Sequence, residues 1–172
     1  MTRVAVCIST FHRPAGLRRL LESIAALEFT DAAPRLTIVI VNNDPDDDEP
    51  RAIAEEFAGR LGCPVVCLAE STRGLSAPRN RALEFATPEH DFVAFIDDDS
   101  TAQPRWLDRL LAVAAAGGAD AVTGPVTPAF EGTPPAWVVS GRFFASPSRP
   151  TSTELEHAFT NNVLLSAAFL RR

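Results

Sequence analysis

Short, almost wholly apolar runs alternate along this chain with longer stretches in which apolar residues recur every three or four positions. The longer stretches predict amphipathic helices. The apolar runs predict five β-strands, at residues 4–9, 36–41, 65–69, 92–96 and 121–126. Strands that are apolar on both faces and separated by such helices are typical of a mostly parallel sheet covered on both sides. The pattern therefore predicts an α/β fold whose functional side chains gather at the carboxyl edge of the sheet.

Local signals indicate where several of these helices begin and end. Pro14 suits the first turn of the first helix, and Ser76 is expected to cap the helix in "SAPRNRALEFA". Gly117 and Gly118 are expected to end the helix that starts near Trp106, because glycine readily adopts the left-handed conformation found after a helix.

The pattern changes after residue 127. Stretches such as "TPAFEGTPPAW" and "SPSRPTST" are rich in proline and lack periodicity, which predicts a long ordered loop over the sheet edge. A last short strand and the start of a helix follow in "TNNVLLSAAFLRR". We expect residues 1–127 and 128–172 to be parts of one domain. The second part is expected to be incomplete, because the sequence stops one turn into an amphipathic helix.

Length, charge and cysteine content exclude several classes of protein. The 172 residues, 46% of them hydrophobic, suit one domain, and a net charge of −6 argues against a nucleic-acid partner. Cys7, Cys63 and Cys67 are expected to be reduced residues of the core. The sequence has no apolar run of about 18 residues and no recognisable signal peptide. We therefore predict no transmembrane segment and a cytoplasmic location, with peripheral attachment to a membrane as an alternative.

Three consecutive aspartates, Asp97, Asp98 and Asp99, follow the fourth apolar run, "FVAFI". Two unit charges about 4 Å apart repel by roughly 4 kcal/mol at an effective dielectric constant of 20, so this cluster requires neutralisation. Because side chains alternate across a strand, Asp97 and Asp99 are expected on one face and Asp98 on the other. Two carboxylates on one face favour Mg²⁺ or Mn²⁺. The alternative is a solvated acidic turn that caps the next helix.

Six stretches resemble, in the same order, the motifs of one known family. "VAVCISTFHRP" is similar to an opening strand and loop, "IVIVNND" to a second strand end, and "RGLSAPRNRAL" to a helix start of the form G-x-S-x-A-R-N. "FIDDDSTAQPRWL" resembles a D-x-D strand end with its following helix, and "GPVTPAF" and "TNNVLLS" also have counterparts. Over nearly its whole length the chain resembles the family 2 glycosyltransferases.

The resemblance implies a GT-A fold, a Rossmann-like sheet that is mostly parallel with helices on both faces. It also implies inverting transfer of a sugar from a nucleotide-diphosphate donor, UDP- or dTDP-linked, to a hydroxyl of an unidentified acceptor. The implied cofactor is a divalent cation, Mg²⁺ or Mn²⁺. Residues 1–127 would then bind the nucleotide sugar, and residues 128–172 would form the acceptor side.

Carried over residue by residue, the resemblance implies a set of nucleotide-sugar contacts at the ends of strands and the start of one helix. These residues are Thr10, Phe11, Arg13, Asn42, Asp44, Arg79, Asn80, Asp97, Asp98, Asn161 and Asn162. Asp97 and Asp99 are the implied metal ligands. Asn42 departs from the family, which usually has an aspartate that hydrogen-bonds uracil there, and Asp44 is the alternative for that role. No histidine is assigned a chemical role.

The catalytic base is not assigned from the sequence. In the family it typically lies in an acidic pair, in a stretch similar to G-G-E-D, and no such stretch occurs before Arg172. The late carboxylates Glu131, Glu154 and Glu156 lie in sequence without a pattern and are weak candidates.

Two other enzyme classes are disfavoured because their glycine motifs are missing. A sugar-phosphate nucleotidyltransferase would carry a glycine-rich loop where "STFHRP" stands, and a D-x-D-G-T phosphatase would need a glycine at Ser100. A truncated or degenerate module that binds a nucleotide sugar without turnover is the main alternative. We also hypothesise that apolar surface left by a missing C-terminal part promotes a homodimer.

Overall fold

The computed structural model describes residues 1–130, 132–144 and 149–172. In this part of the chain six strands form one sheet, with helices between most of them. In chain order the elements are β1 (Arg3–Thr10), α1 (Pro14–Ala25), β2 (Arg35–Asn42), α2 (Glu49–Leu61), β3 (Val65–Ala69), α3 (Ser76–Ala86), β4 (Phe92–Ile96), α4 (Trp106–Gly117), β5 (Ala121–Thr123), α5 (Ala136–Gly141), β6 (Asn162–Ser166) and α6 (Ala167–Leu170).

The sheet has the strand order β3-β2-β1-β4-β6-β5. β1 lies in the middle and pairs in parallel with β2 and β4, and β2 pairs in parallel with β3. β6 is inserted between β4 and β5 and runs antiparallel to both. The predicted mostly parallel α/β sheet is confirmed, and β6 is the one strand among the six described that runs in the opposite direction. Because the four parallel strands share a direction, the loops after β1, β2, β3 and β4 meet at one edge.

Helices cover both faces of this sheet, as predicted. One face packs against α1, α2 and α4 through a cluster that includes Leu20, Phe57 and Leu107. The other face packs against α3, which contributes Ala82 and Ala86 to a smaller cluster. β1 is apolar on both sides because its alternate residues belong to these two cores, which fixes its central position.

Some local predictions were wrong and others were confirmed. Ser76 is the first residue of α3 rather than its cap, since Leu75 holds the cap position and no side chain caps this helix. β5 ends at Thr123, three residues earlier than predicted, where its pairing with β6 stops. Gly118 adopts the expected left-handed conformation after α4, with φ of 59°.

The three cysteines are free thiols. Cys7 is fully buried in the core of the sheet, and burial raises the pKa of its thiol. Cys63 and Cys67 are half-buried and pack against the larger core, and burial raises the pKa of both. The prediction that the cysteines fill the core therefore holds fully for Cys7 and in part for the other two.

The segment between β5 and β6 is largely exposed where it is described. It contains α5, none of whose residues is buried, and two edge-to-face aromatic pairs, Phe130 with Phe144 and Trp137 with Phe143. The predicted loop therefore contains one short helix and carries its aromatic residues on the surface. A homodimer formed through apolar surface left by a missing C-terminal part, and the functional division at residue 127, stay predictions. In the part of the chain that the structure describes, none of the helices has the length and apolar character needed to span a bilayer.

Candidate active site

The ends of β1 and β4 are joined by a buried hydrogen bond. The Thr10 hydroxyl donates to Oδ2 of Asp98 over 2.8 Å, and both residues are almost inaccessible to solvent. Burial raises the pKa of the Asp98 carboxyl, an effect that Thr10 and Arg13 oppose and Asp99 adds to. The middle aspartate of the cluster is therefore a buried acid that holds the first loop against the β4 turn.

Arg13 bridges the carboxylates of Asp98 and Asp99. Its Nη1 donates to Oδ2 of Asp99 over 2.7 Å and lies 3.3 Å from Oδ1 of Asp98. These two negative charges, with Asp98 the stronger influence, raise the pKa of the Arg13 guanidinium. Arg13 stands immediately before Pro14, the first residue of α1, so the start of this helix fixes the backbone from which the side chain reaches the turn.

Asp97 pairs with a different arginine from the one that Asp98 and Asp99 share. Its Oδ1 accepts a hydrogen bond of 3.0 Å from Nη2 of Arg79, which projects from α3. The predicted alternation of Asp97 and Asp99 on one face was wrong, because β4 ends at Ile96 and residues 97–100 form a turn closed by the Ser100 amide on the Asp97 carbonyl. Strand geometry does not continue into the cluster. The assignment of these carboxylates to a metal stays a prediction.

The side chains at the aspartate turn fit Mg²⁺ or Mn²⁺ bound by one or two carboxylates. They do not fit a metal site formed by protein ligands alone. Among the residues that the structure describes, no group of three or more Asp, Glu, His or Cys side chains is arranged to hold an ion. Mg²⁺ is typically bound by one or two carboxylates together with water and substrate phosphates. Asp97 and Asp99, both partly open to solvent, supply carboxylates of that kind.

Asn42 organises the loop after β2. Its Nδ2 donates to the carbonyls of Asp44 and Asp47, each over 2.7 Å, and its Oδ1 accepts from the amide of Asp44. These three bonds use both amide hydrogens of the side chain. The predicted contact of Asn42 with a nucleobase stays a prediction, and it requires Oδ1 to accept a second hydrogen bond.

Asn43 is a buried organising residue that the sequence analysis missed. Its Nδ2 donates to the carbonyls of Glu70 and Thr72, and its Oδ1 accepts from the amide of Gly74. It therefore holds the loop after β3 against the end of β2. Two adjacent asparagines directly after an apolar strand were the available signal, since buried amides of this kind normally bond to backbone.

His12 and Arg73 both pair with Asp44, and Phe11 contacts both of them. Oδ2 of Asp44 is 2.9 Å from Nε2 of His12 and 3.2 Å from Nη2 of Arg73. The Arg73 guanidinium also lies 4.4 Å from the centre of the Phe11 ring, and the Phe11 and His12 rings are in edge contact. His12 has a positive φ of 51°, which directs the first loop towards Asp44. His12 and Arg73 therefore lie beside the candidate site, and neither was assigned to it from the sequence.

Asn162 is tied into the core by its side chain. Its Oδ1 accepts from the indole nitrogen of Trp106 over 2.7 Å, and its Nδ2 donates to the Pro125 carbonyl over 3.2 Å. A Cβ on Gly124 would come within 2.9 Å of the same Nδ2, so glycine is needed there for this packing. The predicted sugar or acceptor contact of Asn162 stays a prediction, and the structure adds this packing role.

The remaining predicted residues lie apart from these contacts. Asn80 is exposed on α3, and Asn161 is half-buried immediately before β6. Glu154 and Glu156 are exposed, and Glu131 lies outside the described residues. An open cavity of about 650 Å³ lies at the opposite, amino edge of the sheet, lined by Ile24 and mostly apolar neighbours. None of the predicted site residues lines it, so it is separate from the candidate site.

Comparison with known sequences identifies the family. The chain matches glycosyl transferase family 2 over residues 5–171, and it belongs to this family. It is 34% identical over 162 residues to the succinoglycan biosynthesis protein ExoM of Rhizobium meliloti (strain 1021). This alignment covers 94% of the present chain and 50% of ExoM, so the chain spans about half the length of that relative.

Comparison with solved structures supports the GT-A fold. S. aureus TarS 1-349 in complex with UDP-GlcNAc superposes with a TM-score of 0.73 at 18% identity, over 98% of this chain and 46% of that one. The mannosyltransferase PcManGT from Pyrobaculum calidifontis, in complex with GDP-Man and Mn²⁺, superposes with a TM-score of 0.60 at 22% identity. That match covers 72% of this chain and 36% of PcManGT. Identities this low establish the fold alone.

Proposed function

We propose that this chain forms the donor-binding part of an inverting glycosyltransferase, which transfers a sugar from a nucleotide-diphosphate donor to an acceptor hydroxyl. The observation that carries the proposal is the junction at the carboxyl edge. There Thr10 and Arg13 from the first loop and Arg79 from α3 converge on the aspartate turn after β4. Open α/β sheets bind ligands outside the carboxyl ends of their strands, which is where this junction lies.

The reaction is a displacement at the anomeric carbon. The acceptor oxygen forms the new bond as the bond from that carbon to the diphosphate oxygen breaks, and the nucleoside diphosphate leaves with the electron pair. A divalent cation at Asp97 and Asp99 would supply neutralisation of the charge on the departing diphosphate. Arg79 contacts Asp97, Arg13 contacts Asp99 in the absence of a cation, and the buried Thr10–Asp98 bond fixes the turn that carries both carboxylates.

The proton of the acceptor hydroxyl requires a general base within hydrogen-bond reach. We assign no base among the described residues, because Glu154 and Glu156 are exposed and have no contact with the junction. The proposal therefore assigns residues of this chain to donor and cation binding, and none to the general base.

The nucleobase is proposed to bind beside the loops after β1 and β2, with UDP or dTDP as the nucleotide. The Phe11 ring offers an aromatic face there, and the Asp44 carboxylate can accept from a base N–H group. Asn42 contributes by holding the loop in which Asp44 stands.

The experiment is a donor-hydrolysis assay without acceptor. UDP-, dTDP- and GDP-sugars are incubated with the chain and Mn²⁺, and the released nucleoside diphosphate is measured. We expect release from a UDP- or dTDP-sugar, with loss in Asp99→Ala and no change in Asp31→Ala, a control in the loop before β2. Binding of the same donors without any release would instead support a nucleotide-sugar-binding module. Neither binding nor release would reject both.

A further inference from the structure

We propose that Arg13 is a built-in counter-cation that competes with the divalent cation for Asp99 and leaves Asp99 when the cation binds. The inference rests on the proposed function, since the cation at the aspartate turn is part of that proposal. It assigns Arg13 a positioning and regulatory role at the turn, in addition to the implied contact with the nucleotide sugar.

The two halves of the Arg13 bridge differ in their exposure. The Asp98 side chain is 7% exposed, whereas those of Asp99 and Arg13 are 59% and 57% exposed. The contact with Asp99 is the shorter one, at 2.7 Å. The exposed half is free to rearrange into solvent, and the buried half needs a nearby positive charge to offset the burial of Asp98. We therefore expect Arg13 to give up Asp99 and to keep Asp98.

Arg13 and the cation would draw on the same carboxylate. An arginine N–H donates into a lone pair of a carboxylate oxygen, and a hard divalent cation binds such lone pairs directly. Arg13 engages Oδ2 of Asp99, so a cation bound at this carboxylate meets the guanidinium charge beside it and competes with it. Asp97 faces a comparable partner in Arg79, but that arginine is only 20% exposed and is held on α3. Arg13 is the more exposed of the two arginines at the turn, and the one with more room to move away from its carboxylate.

The expected effect is modest because the pair is exposed. Exposed ion pairs of this kind typically stabilise by amounts equivalent to about 1.5- to 5-fold in a binding constant. Removing the Arg13 charge should therefore tighten Mn²⁺ binding in the absence of nucleotide by that factor.

The test is a Mn²⁺ titration of the full chain, with free Mn²⁺ counted by electron paramagnetic resonance and no nucleotide present. Arg13→Gln is expected to bind Mn²⁺ about 1.5- to 5-fold more tightly than the wild type, and Arg13→Lys to change less. Arg18→Gln removes the same charge from α1, at a side chain that pairs with Glu56, and is expected to leave the affinity unchanged. Arg73→Gln removes a positive charge that contacts Asp44 at the same sheet edge. It controls for the effect of any lost positive charge near the turn on the electrostatic attraction of Mn²⁺.

Two outcomes would overturn the inference. Equal tightening in Arg13→Gln and Arg73→Gln would mean a general field effect, and unchanged or weaker Mn²⁺ binding in Arg13→Gln would mean no competition. If the wild type binds Mn²⁺ but Arg13→Gln does not tighten it, only the role of Arg13 fails. If the wild type binds no Mn²⁺ even with UDP present, the proposed cation site fails as well.

A second measurement avoids dependence on the folding of a variant. In the wild type, Mg²⁺ is titrated while the ¹H–¹⁵N signals of the arginine side chains are followed. We expect the Arg13 signal to shift with Mg²⁺ and the Arg18 signal to stay in place. An Arg13 signal that does not respond at Mg²⁺ concentrations that saturate the site would contradict the exchange.

Discussion

Gly16 lies against the backbone carbonyl of Asp98, so close that a Cβ on Gly16 would be 2.6 Å from that oxygen. The first turn of α1 thus touches the aspartate turn backbone to backbone. Gly16 is buried and helical, and its φ is not in the left-handed region, so the requirement for glycine comes from this close approach. The contact sets how near Arg13, three residues earlier, comes to the carboxylates.

Gly16→Ala is expected to destabilise the fold by about 1–3 kcal/mol, because the added methyl group must displace the turn that carries Asp98. Gly59→Ala is the matched control. Gly59 is also helical, in α2, but it is exposed and a Cβ there meets no atom within 4 Å, so alanine should stabilise by about 0.5–1 kcal/mol. Urea denaturation followed by circular dichroism measures both. Effects of the same sign would contradict the close-approach account.

Thr10→Val is expected to cost about 1–3 kcal/mol of unfolding free energy. The valine has a similar shape but leaves Oδ2 of the buried Asp98 without its hydroxyl donor. Thr10→Ser keeps the hydroxyl and loses one methyl group, which is expected to cost about 1 kcal/mol. The two variants are compared by urea denaturation at pH 7. A serine variant less stable than the valine variant would show that the hydrogen bond contributes little.

The pH dependence of stability should change in Asp98→Asn. Burial raises the pKa of Asp98 in the folded state, so the folded state holds this proton to higher pH than the unfolded state, whose aspartates titrate near pH 3.9. Between those two pKa values the folded state binds more protons, and stability therefore falls as pH rises. Asparagine does not titrate.

We therefore expect the unfolding free energy of the wild type, relative to Asp98→Asn, to decrease as pH rises from about 4 and to level off once Asp98 is ionised in both states. Urea denaturation of both proteins at pH values from about 3.5 to 7 measures the difference. A difference that stays constant, or that increases with pH, would contradict a raised pKa at Asp98.

Asn162→Ala is expected to cost about 2 kcal/mol or more, because it leaves the Trp106 indole N–H and the Pro125 carbonyl without a partner. Trp106→Phe removes the indole donor and should reduce the cost of the asparagine change in the double variant. A double-mutant cycle measured by urea denaturation gives this coupling. Additive effects of the two substitutions would argue against the bond.

Much of the sheet could be predicted from the sequence because β1, β2 and β4 are buried on both faces. Apolar runs such as "VAVCIS" are typical of strands in the interior of a sheet that is covered on both faces, because both sets of alternate side chains are then buried. The reversed direction of β6 could not be predicted, because an apolar run contains no information on the direction of its neighbour. The short helix α5 in the segment between β5 and β6 could not be predicted, because that sequence has no periodicity. The described residues of the segment are mostly exposed.

At the site, the sequence indicated which loops meet but not how their side chains pair. The position of Asp97–Asp99 at a strand end was correct, but the alternation rule failed because β4 ends at Ile96, before the first of the three aspartates. The pairing of Arg13 with Asp99 joins residues 86 positions apart in the chain. Such partners depend on how close α1 approaches the turn, and in the sequence the only sign of that approach is Gly16.

The proposed function depends on the aspartate turn binding a divalent cation together with the diphosphate of a nucleotide. The most direct measurement is calorimetric titration of UDP into the chain with and without Mn²⁺, for the wild type, Asp99→Ala and the control Asp31→Ala. We expect binding that requires Mn²⁺, persists in Asp31→Ala and is lost in Asp99→Ala. Equal UDP affinity with and without Mn²⁺, or undiminished binding in Asp99→Ala, would contradict it.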